Sequence, residues 1–136
     1  MNMRFAILGA VVVLLSACQT SAPKPHPQGE IIVGRAALPV MERVALGARE
    51  CWFRSKDPAF KAYKLAPELT SQNGRPRILI VPAKNPNGLP LAVIEATGNP
   101  AQMSAFGPLM NQPLGKRISS DVNRWVAGGD ACGAAA

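Results

Sequence analysis

The residues of this chain best suited to covalent or metal chemistry are three cysteines and one histidine. Cys18 ends an apolar run near the amino terminus, whereas Cys51 and Cys132 lie in the remainder of the chain. Cysteine thiols act as nucleophiles, metal ligands or disulfide partners, and imidazole is a common general base at neutral pH. Which of these chemistries applies depends on the segments that hold the four residues.

The histidine, His26, lies in a segment that cannot form a packed active site. From Gln19 to Glu30 the sequence is QTSAPKPHPQGE, in which three prolines alternate with other residues. This composition favours extended polyproline geometry and buries no core. At about 3.1 Å per residue, a dozen such residues form a spacer of about 35 Å. Because the only imidazole lies on this tether, we expect no histidine-based triad or metal centre in the folded part.

The segment before the tether has the layout of an export signal. Arg4 precedes an uncharged, mostly apolar run at 5–15, and small residues follow. The run is shorter than the ~20 residues that a membrane-spanning helix needs. An ordinary signal-cleavage site fits poorly, because a cut after Ala17 would place Leu15 at a position that prefers a small residue. A signal of a different class is therefore expected.

The sequence Leu15-Ser16-Ala17-Cys18 closely resembles the lipobox of bacterial lipoproteins, in which a leucine and two small residues precede an obligatory cysteine. The resemblance implies that a diacylglyceryl group is attached to Cys18, that the signal is cut just before it and that the new amino terminus is acylated. Two or three acyl chains anchor a protein stably, whereas one chain holds it reversibly. The alternative is a cysteine that follows a plain signal peptide by chance.

The domain organisation follows from this signal. Residues 1–17 are expected to be the signal peptide, 18–30 the lipidated cysteine with its Pro-rich tether, and 31–136 a single domain. Gln19 follows the cysteine, which under the sorting rule of enteric bacteria implies the outer membrane, facing the periplasm; inner-membrane anchoring is the alternative. Loss of Arg4 lowers the formal charge from +7 to +6, so the basic balance belongs to the mature domain.

Cys51 and Cys132 are predicted to form a disulfide. Their number is even, and an exported chain reaches an oxidising compartment. A redox pair and a two-cysteine metal site are the alternatives, but neither cysteine has C-x-x-C spacing and no histidine accompanies them. The disulfide would tie the beginning of the domain to its end.

The pattern of apolar residues predicts an α+β domain in two layers, ordered α-β-β-β-α. A first helix around Pro39 and a last helix after Pro113 both carry apolar residues at helical spacing. Three strands over 63–70, 77–81 and 91–97 are separated by turns that contain Asn-Gly, which favours an antiparallel three-stranded meander. Both helices are expected to pack on this meander, with their C-terminal ends clamped together by the disulfide.

The middle strand needs cover on both faces. Residues 78–81 are apolar at every position, which is typical of a strand buried on both sides. Two helices cover only one face of a sheet. Either the segment 103–110 folds across the other face, or that face meets a partner. Residues 31–33 are a further candidate for edge pairing or cover.

Catalytic chemistry has little support in the predicted domain. Glu95 is the one acid in an apolar strand, but strand alternation places it on the solvent face that it shares with Val93. Ser119-Ser120-Asp121 is interpreted as polar helix surface or a local cap. The glycines form no phosphate-binding motif. The sequence therefore predicts no catalytic residue, no cofactor and no metal.

Basic side chains give a stronger signal. They cluster at 49–64 and on the last helix. The candidate patch for an anionic partner consists of Arg49, Arg54, Lys56, Lys61, Lys64, Lys116, Arg117 and Arg124. Nucleic acid is the wrong partner for an exported protein, and the periplasmic anions are phospholipid headgroups, lipopolysaccharide phosphates, peptidoglycan carboxylates and acidic proteins. The alternative is a solvated face that only keeps the domain soluble.

The sequence thus predicts a lipid-anchored, periplasm-facing lipoprotein whose domain is a binding or structural module and not an enzyme. One hypothesis is docking to the membrane, an envelope protein or the cell wall through an exposed apolar sheet face or the basic side. A second is a carrier or sensor for a small ligand, an anionic glycan or a lipid, which requires an enclosed apolar pocket. A hydrolase that uses an isolated carboxylate such as Glu95 is the third.

Overall fold

The computed structural model describes residues 31–70 and 74–133. The predicted signal peptide, Cys18 and the tether lie outside the described residues. The main elements are β1 (Ile31–Val33), α1 (Ala37–Ala48), β2 (Tyr63–Glu68), β3 (Arg77–Pro82), β4 (Ala92–Thr97), β5 (Ala101–Phe106) and α2 (Pro113–Val126). The α+β class predicted from the sequence is confirmed.

The strands form one antiparallel sheet in the order β1-β5-β4-β3-β2. The predicted meander is its β2-β3-β4 part, in which Leu65 lies opposite Ile80 and Ile78 lies opposite Ile94. The predicted count of three strands is wrong, because β5 and β1 extend the meander to five. The order α-β-β-β-α is corrected accordingly to β1-α1-β2-β3-β4-β5-α2.

The segment 103–110 does not fold across the second face of the sheet. Its first half belongs to β5, which pairs with β4 after a turn at 98–100. The residues of β5 begin with buried and exposed side chains in alternation, as in a strand with one covered face. The second half is a short 3₁₀-helix, Pro108–Asn111, whose Leu109 and Met110 are buried in the core.

The two edges of the sheet differ in their protection. β1 is the edge strand beside β5, with Ile31 opposite Met103, so the expectation that 31–33 pairs at an edge is confirmed. β2 forms the other edge and carries Lys64 and Pro67. A lysine and a proline on an edge strand hinder pairing with a further strand, because the charge repels and the proline lacks an N–H donor.

The helices and the core lie on one face of the sheet. α1 contacts β3, β4 and β5, and α2 packs beside α1. Ile78, Ile80 and Ile94 point into this layer and are completely buried. Burial of an isoleucine side chain stabilises the fold by about 1.5–3 kcal/mol, so these three residues are a large part of the core.

α1 and α2 run antiparallel. Arg43 near the middle of α1 donates a hydrogen bond to the carbonyl of Gly128, which follows the end of α2. Beyond the end of α1 the chain continues as a π-helical turn, Arg49–Arg54, and Trp52 in this turn contacts Asp121 in the second half of α2. The C-terminal extension of α1 therefore lies beside the interior of α2 and not beside its end.

The predicted disulfide joins Cys51 to Cys132 across 81 residues. Cys51 belongs to the π-helical turn and is buried, and Cys132 follows α2. The sequence suggested that the disulfide clamps the C-terminal ends of the two helices together. It does not, because the helices are antiparallel. Instead the tail after α2 folds back along that helix, where the carbonyl of Ala131 accepts a hydrogen bond from Trp125 Nε1 at 3.4 Å.

Candidate partner-binding surfaces

Arg117 and Arg124 of the predicted basic patch belong to a buried ionic cluster and not to the open surface. Both guanidinium groups are ion-paired with Asp121, which is only 1% exposed. Trp52 Nε1 donates a hydrogen bond of 2.7 Å to Asp121 Oδ2. Because their charges are paired within the fold, these two arginines are less available to an anionic partner than the other residues of the predicted patch. The sequence suggested that Asp121 lies on the polar surface of the helix or in a local cap, but its side chain is buried.

A second carboxylate, Asp57, completes this cluster. Asp57 Oδ2 lies 2.5 Å from Arg117 Nη2, and its Oδ1 accepts a hydrogen bond from the backbone N–H of Ala59. The hydrogen bond from Arg117 holds the pKa of Asp57 below its usual value, against the opposing effect of burial. The Arg117 guanidinium also lies 5.6 Å from the ring centroid of Phe60. These contacts join the segment after the π-helical turn to the first turns of α2.

The other six residues of the predicted patch are exposed. Arg49 and Arg54 share one carboxylate, since both lie within 3.2 Å of Glu50 Oε1. Among the described residues, no carboxylate lies within 4.0 Å of the four lysines of the patch, Lys56, Lys61, Lys64 and Lys116. The exposed positive charge of the predicted patch therefore comes mainly from the four lysines. Arg49 and Arg54 together contribute one further net positive charge, because they share Glu50.

The patch lysines gather at one end of the sheet, which we call the basal end. At this end β2 and β4 begin and β3 and β5 end, as the pairs Tyr63–Pro82 and Val93–Phe106 show. Lys64 is the second residue of β2, and Lys61 precedes that strand. The backbone N–H of Ala83 bonds the carbonyl of Ala62, which places Lys84 next to Lys61.

The base of the helical layer adds two more lysines. α1 begins at the opposite end of the sheet, where the N–H of Ala37 bonds the carbonyl of Gly98. α2 begins at the basal end, directly after the 3₁₀-helix that follows β5. The ion pair between Asp57 and Arg117 therefore brings their neighbours to this end. We define the basal lysines as Lys56, Lys61, Lys64, Lys84 and Lys116, of which the sequence reasoning missed Lys84.

Two exposed apolar side chains lie at the same end. Leu89 is 88% exposed in the loop between β3 and β4, and Phe106, the last residue of β5, is 47% exposed. Neither residue was singled out from the sequence. The exposure of Leu89 could have been predicted from the turn-forming segment 85–90. A leucine between Gly88 and Pro90 in such a turn is poorly placed to reach a core.

The sheet face opposite the helices carries a continuous apolar row. Ala66, Leu79, Val93 and Phe106 are successive cross-strand partners, and none of them belongs to the core cluster of the described residues. Only Phe106 is largely exposed, since Val93 is 8% exposed and the other two are half-buried. The apolar face predicted for this sheet therefore reaches the open surface mainly at its basal end.

Glu95 shares the open face with Val93, as strand alternation predicted. Its carboxylate lies 4.0 Å from Arg75 Nη1 and accepts a hydrogen bond of 3.5 Å from Ser104 Oγ. The next residue of this cross-strand row, Arg77, forms an ion pair of 2.6 Å with Glu68. Glu95 is thus part of a charged row in which acids alternate with arginines.

The described residues hold neither a cluster of metal ligands nor a membrane-spanning helix. Over 31–70 and 74–133, no group of three or more His, Cys, Asp or Glu side chains is placed to hold a metal ion. Within the same ranges, no helix has both the length and the hydropathy that crossing a bilayer demands. Comparison of the chain with protein-family profiles, with curated proteins and with solved structures gave no match.

Proposed function

We propose that this protein is a lipid-anchored, periplasm-facing lipoprotein of the bacterial envelope whose domain is a non-catalytic binding or structural module. The lipobox resemblance at Cys18 supports the anchor, and the Pro-rich segment 18–30 supports a spacer between lipid and domain. Gln19 supports the outer membrane as the site of anchoring.

The observation that carries the binding role is the division of charged groups between interior and surface. Inside, Asp57, Asp121, Arg117 and Arg124 neutralise one another, and the pair of Asp57 with Arg117 joins α2 to the segment after the π-helical turn. Outside, lysines with no acidic partner among the described residues share the basal end with two exposed apolar side chains. A surface that combines cationic and apolar groups without a nucleophile and base is suited to docking and not to breaking bonds.

The partner class follows from the same surface. Lysines that no acid pairs in the described part of the chain favour anionic partners, so we expect phospholipid, lipopolysaccharide, peptidoglycan or an acidic envelope protein and no nucleic acid. Surface charges of this kind are screened by salt, because the Debye length falls to about 8 Å at physiological ionic strength. Binding should therefore weaken as the salt concentration rises.

The lipoprotein assignment is tested by the intact mass of the protein extracted from membranes of its native host. We expect a chain that begins at Cys18 and carries two or three acyl chains. The control variant Cys18→Ala should keep the signal segment and carry no acyl group. An unlipidated chain that begins elsewhere would contradict the proposal. Thiol alkylation of the same sample should modify Cys51 and Cys132 only after reduction, as the disulfide requires.

A further inference from the structure

We infer that the basal end docks onto the anionic phospholipid leaflet in which Cys18 is anchored, with Leu89 and Phe106 inserted between headgroups and the basal lysines bound to lipid phosphates. The inference rests on the proposed lipid anchor. It goes beyond that anchor, because it assigns the membrane as partner of the folded domain and fixes which end of the domain faces the lipid.

The first step of the argument is the charge of the basal end. Its five lysines lack acidic partners among the described residues, and the nearby carboxylate of Asp57 is neutralised by Arg117. Anionic lipid surfaces attract each lysine or arginine near the membrane, and the effect grows with the number of such residues. A cluster of this size at one end of a domain therefore matches a negatively charged leaflet.

The second step is the pairing of these lysines with exposed apolar groups. Leu89 is 88% exposed and projects from a loop, and Phe106 ends β5 on the open face. Membrane-surface proteins bury such side chains at the boundary of headgroups and acyl chains, while neighbouring lysines stay at the level of the phosphates. Lys84 and Leu89 belong to the same β3–β4 connection, so the loop carries both kinds of group.

The third step is the direction from which the chain enters the domain. β1 runs antiparallel to β5, and Ile31 lies opposite Met103, three residues before Phe106. The amino-terminal end of β1, where the tether joins the domain, therefore points toward the basal end, as the last residues of β5 do. The tether joins this end of the domain to Cys18, so the anchor keeps the basal end within about 35 Å of the leaflet.

The test uses tryptophan fluorescence, because the two native tryptophans do not reach the surface. Trp52 and Trp125 are each 1% exposed and lie in the core, so lipid-borne quenchers affect them little. We introduce Leu89→Trp into the acylated protein and reconstitute it in vesicles with brominated acyl chains. The vesicles contain phosphatidylcholine alone or phosphatidylcholine mixed with phosphatidylglycerol. We expect strong quenching in the mixed vesicles, relief of quenching at high salt and weak quenching in phosphatidylcholine.

The matched control is Leu38→Trp. Leu38 is also an exposed leucine, 42% accessible, but it lies in the first turn of α1 at the end of the sheet opposite the basal end. This variant should show no more quenching than the unmodified protein in either vesicle. Equal quenching of Leu38→Trp and Leu89→Trp would overturn the inferred orientation.

Charge variants test the lysines separately from the apolar groups. Lys61→Gln with Lys64→Gln, made in the Leu89→Trp background, should lower the ratio of docked to undocked protein about 25-fold, since each lysine contributes about five-fold. Arg35→Gln removes one exposed positive charge at the opposite end and should leave that ratio unchanged. An unchanged ratio in the double lysine variant would overturn the role of the basal lysines.

The failure of this inference can be told apart from failure of the proposed anchor. Intact mass reports acylation of Cys18 on the sample that is used for quenching. Acylated protein with unquenched Leu89→Trp in phosphatidylglycerol vesicles overturns docking and leaves the lipoprotein assignment standing. Absence of acylation in the native host overturns the anchor and, with it, the inference that depends on it.

Discussion

Removal of the disulfide is expected to cost the domain a large part of its stability. Cys51 and Cys132 are 81 residues apart in sequence. In the chain-entropy treatment a closed loop of this length stabilises the fold by about 4.5 kcal/mol, because cross-linking restricts the unfolded chain. Single domains have a total free energy of unfolding of about 5–15 kcal/mol. The reduced form of this domain is therefore expected to be marginally stable.

The variant Cys132→Ser isolates this entropic contribution. Cys132 is exposed, so its replacement removes the cross-link with little loss of packing, whereas a change at buried Cys51 would do both. Urea unfolding monitored by the fluorescence of buried Trp52 and Trp125 should show a loss of about 3–4.5 kcal/mol. The m-value should rise, because the unfolded chain without its cross-link exposes more surface. A loss below about 1 kcal/mol with an unchanged m-value would refute the reasoning.

Three further predictions concern the helical layer. Asp121→Asn should destabilise the domain by about 3 kcal/mol in urea unfolding, because Arg117 and Arg124 then lose their common counter-ion; a loss under about 1 kcal/mol would contradict this. Because the pKa of Asp57 is lowered in the fold, its ionised form stabilises the domain above about pH 4, and this stabilisation is lost as the pH falls. Asp57→Asn should therefore flatten the decline in thermal midpoint on acidification, and an unaltered decline would argue against the ion pair. Gly47→Ala places a Cβ atom against the indole of Trp125 and should lower stability by about 1–2 kcal/mol, despite the higher helix propensity of alanine. A variant that calorimetry shows to be stabilised would contradict the close packing.

The sequence predicted the elements that have strong local patterns. Both helices carry apolar residues at helical spacing, and the strands β2, β3 and β4 are separated by recognisable turns. The disulfide was predicted from the cysteine count and from the oxidising compartment that the export signal implies. β5 was missed because its residues are small or polar, with Met103 and Phe106 as the only large apolar side chains, so its burial depends on pairing with β4 and not on its own composition.

The candidate surface was predicted only in part, because charge in a sequence does not show which charges pair. Arg117, Asp121 and Arg124 lie at i, i+4 and i+7 of one helix, a spacing that was available as a sign of internal ion pairs. Arg117 and Asp121, however, also contact Asp57 and Trp52, which come from a distant part of the chain. Local spacing suggests such pairs, but only the tertiary fold decides whether they are solvated or enclosed.

The position of Cys132 after every element of the fold also sets the order in which the domain can be completed. A polypeptide that emerges amino-terminal end first presents Cys51 long before its partner, with all strands from β2 to β5 and α2 still to come. The thiol of Cys51 can therefore pair with Cys132 only after every element of the described fold has been synthesised. The native cross-link can thus form only in a chain that already holds all of these elements.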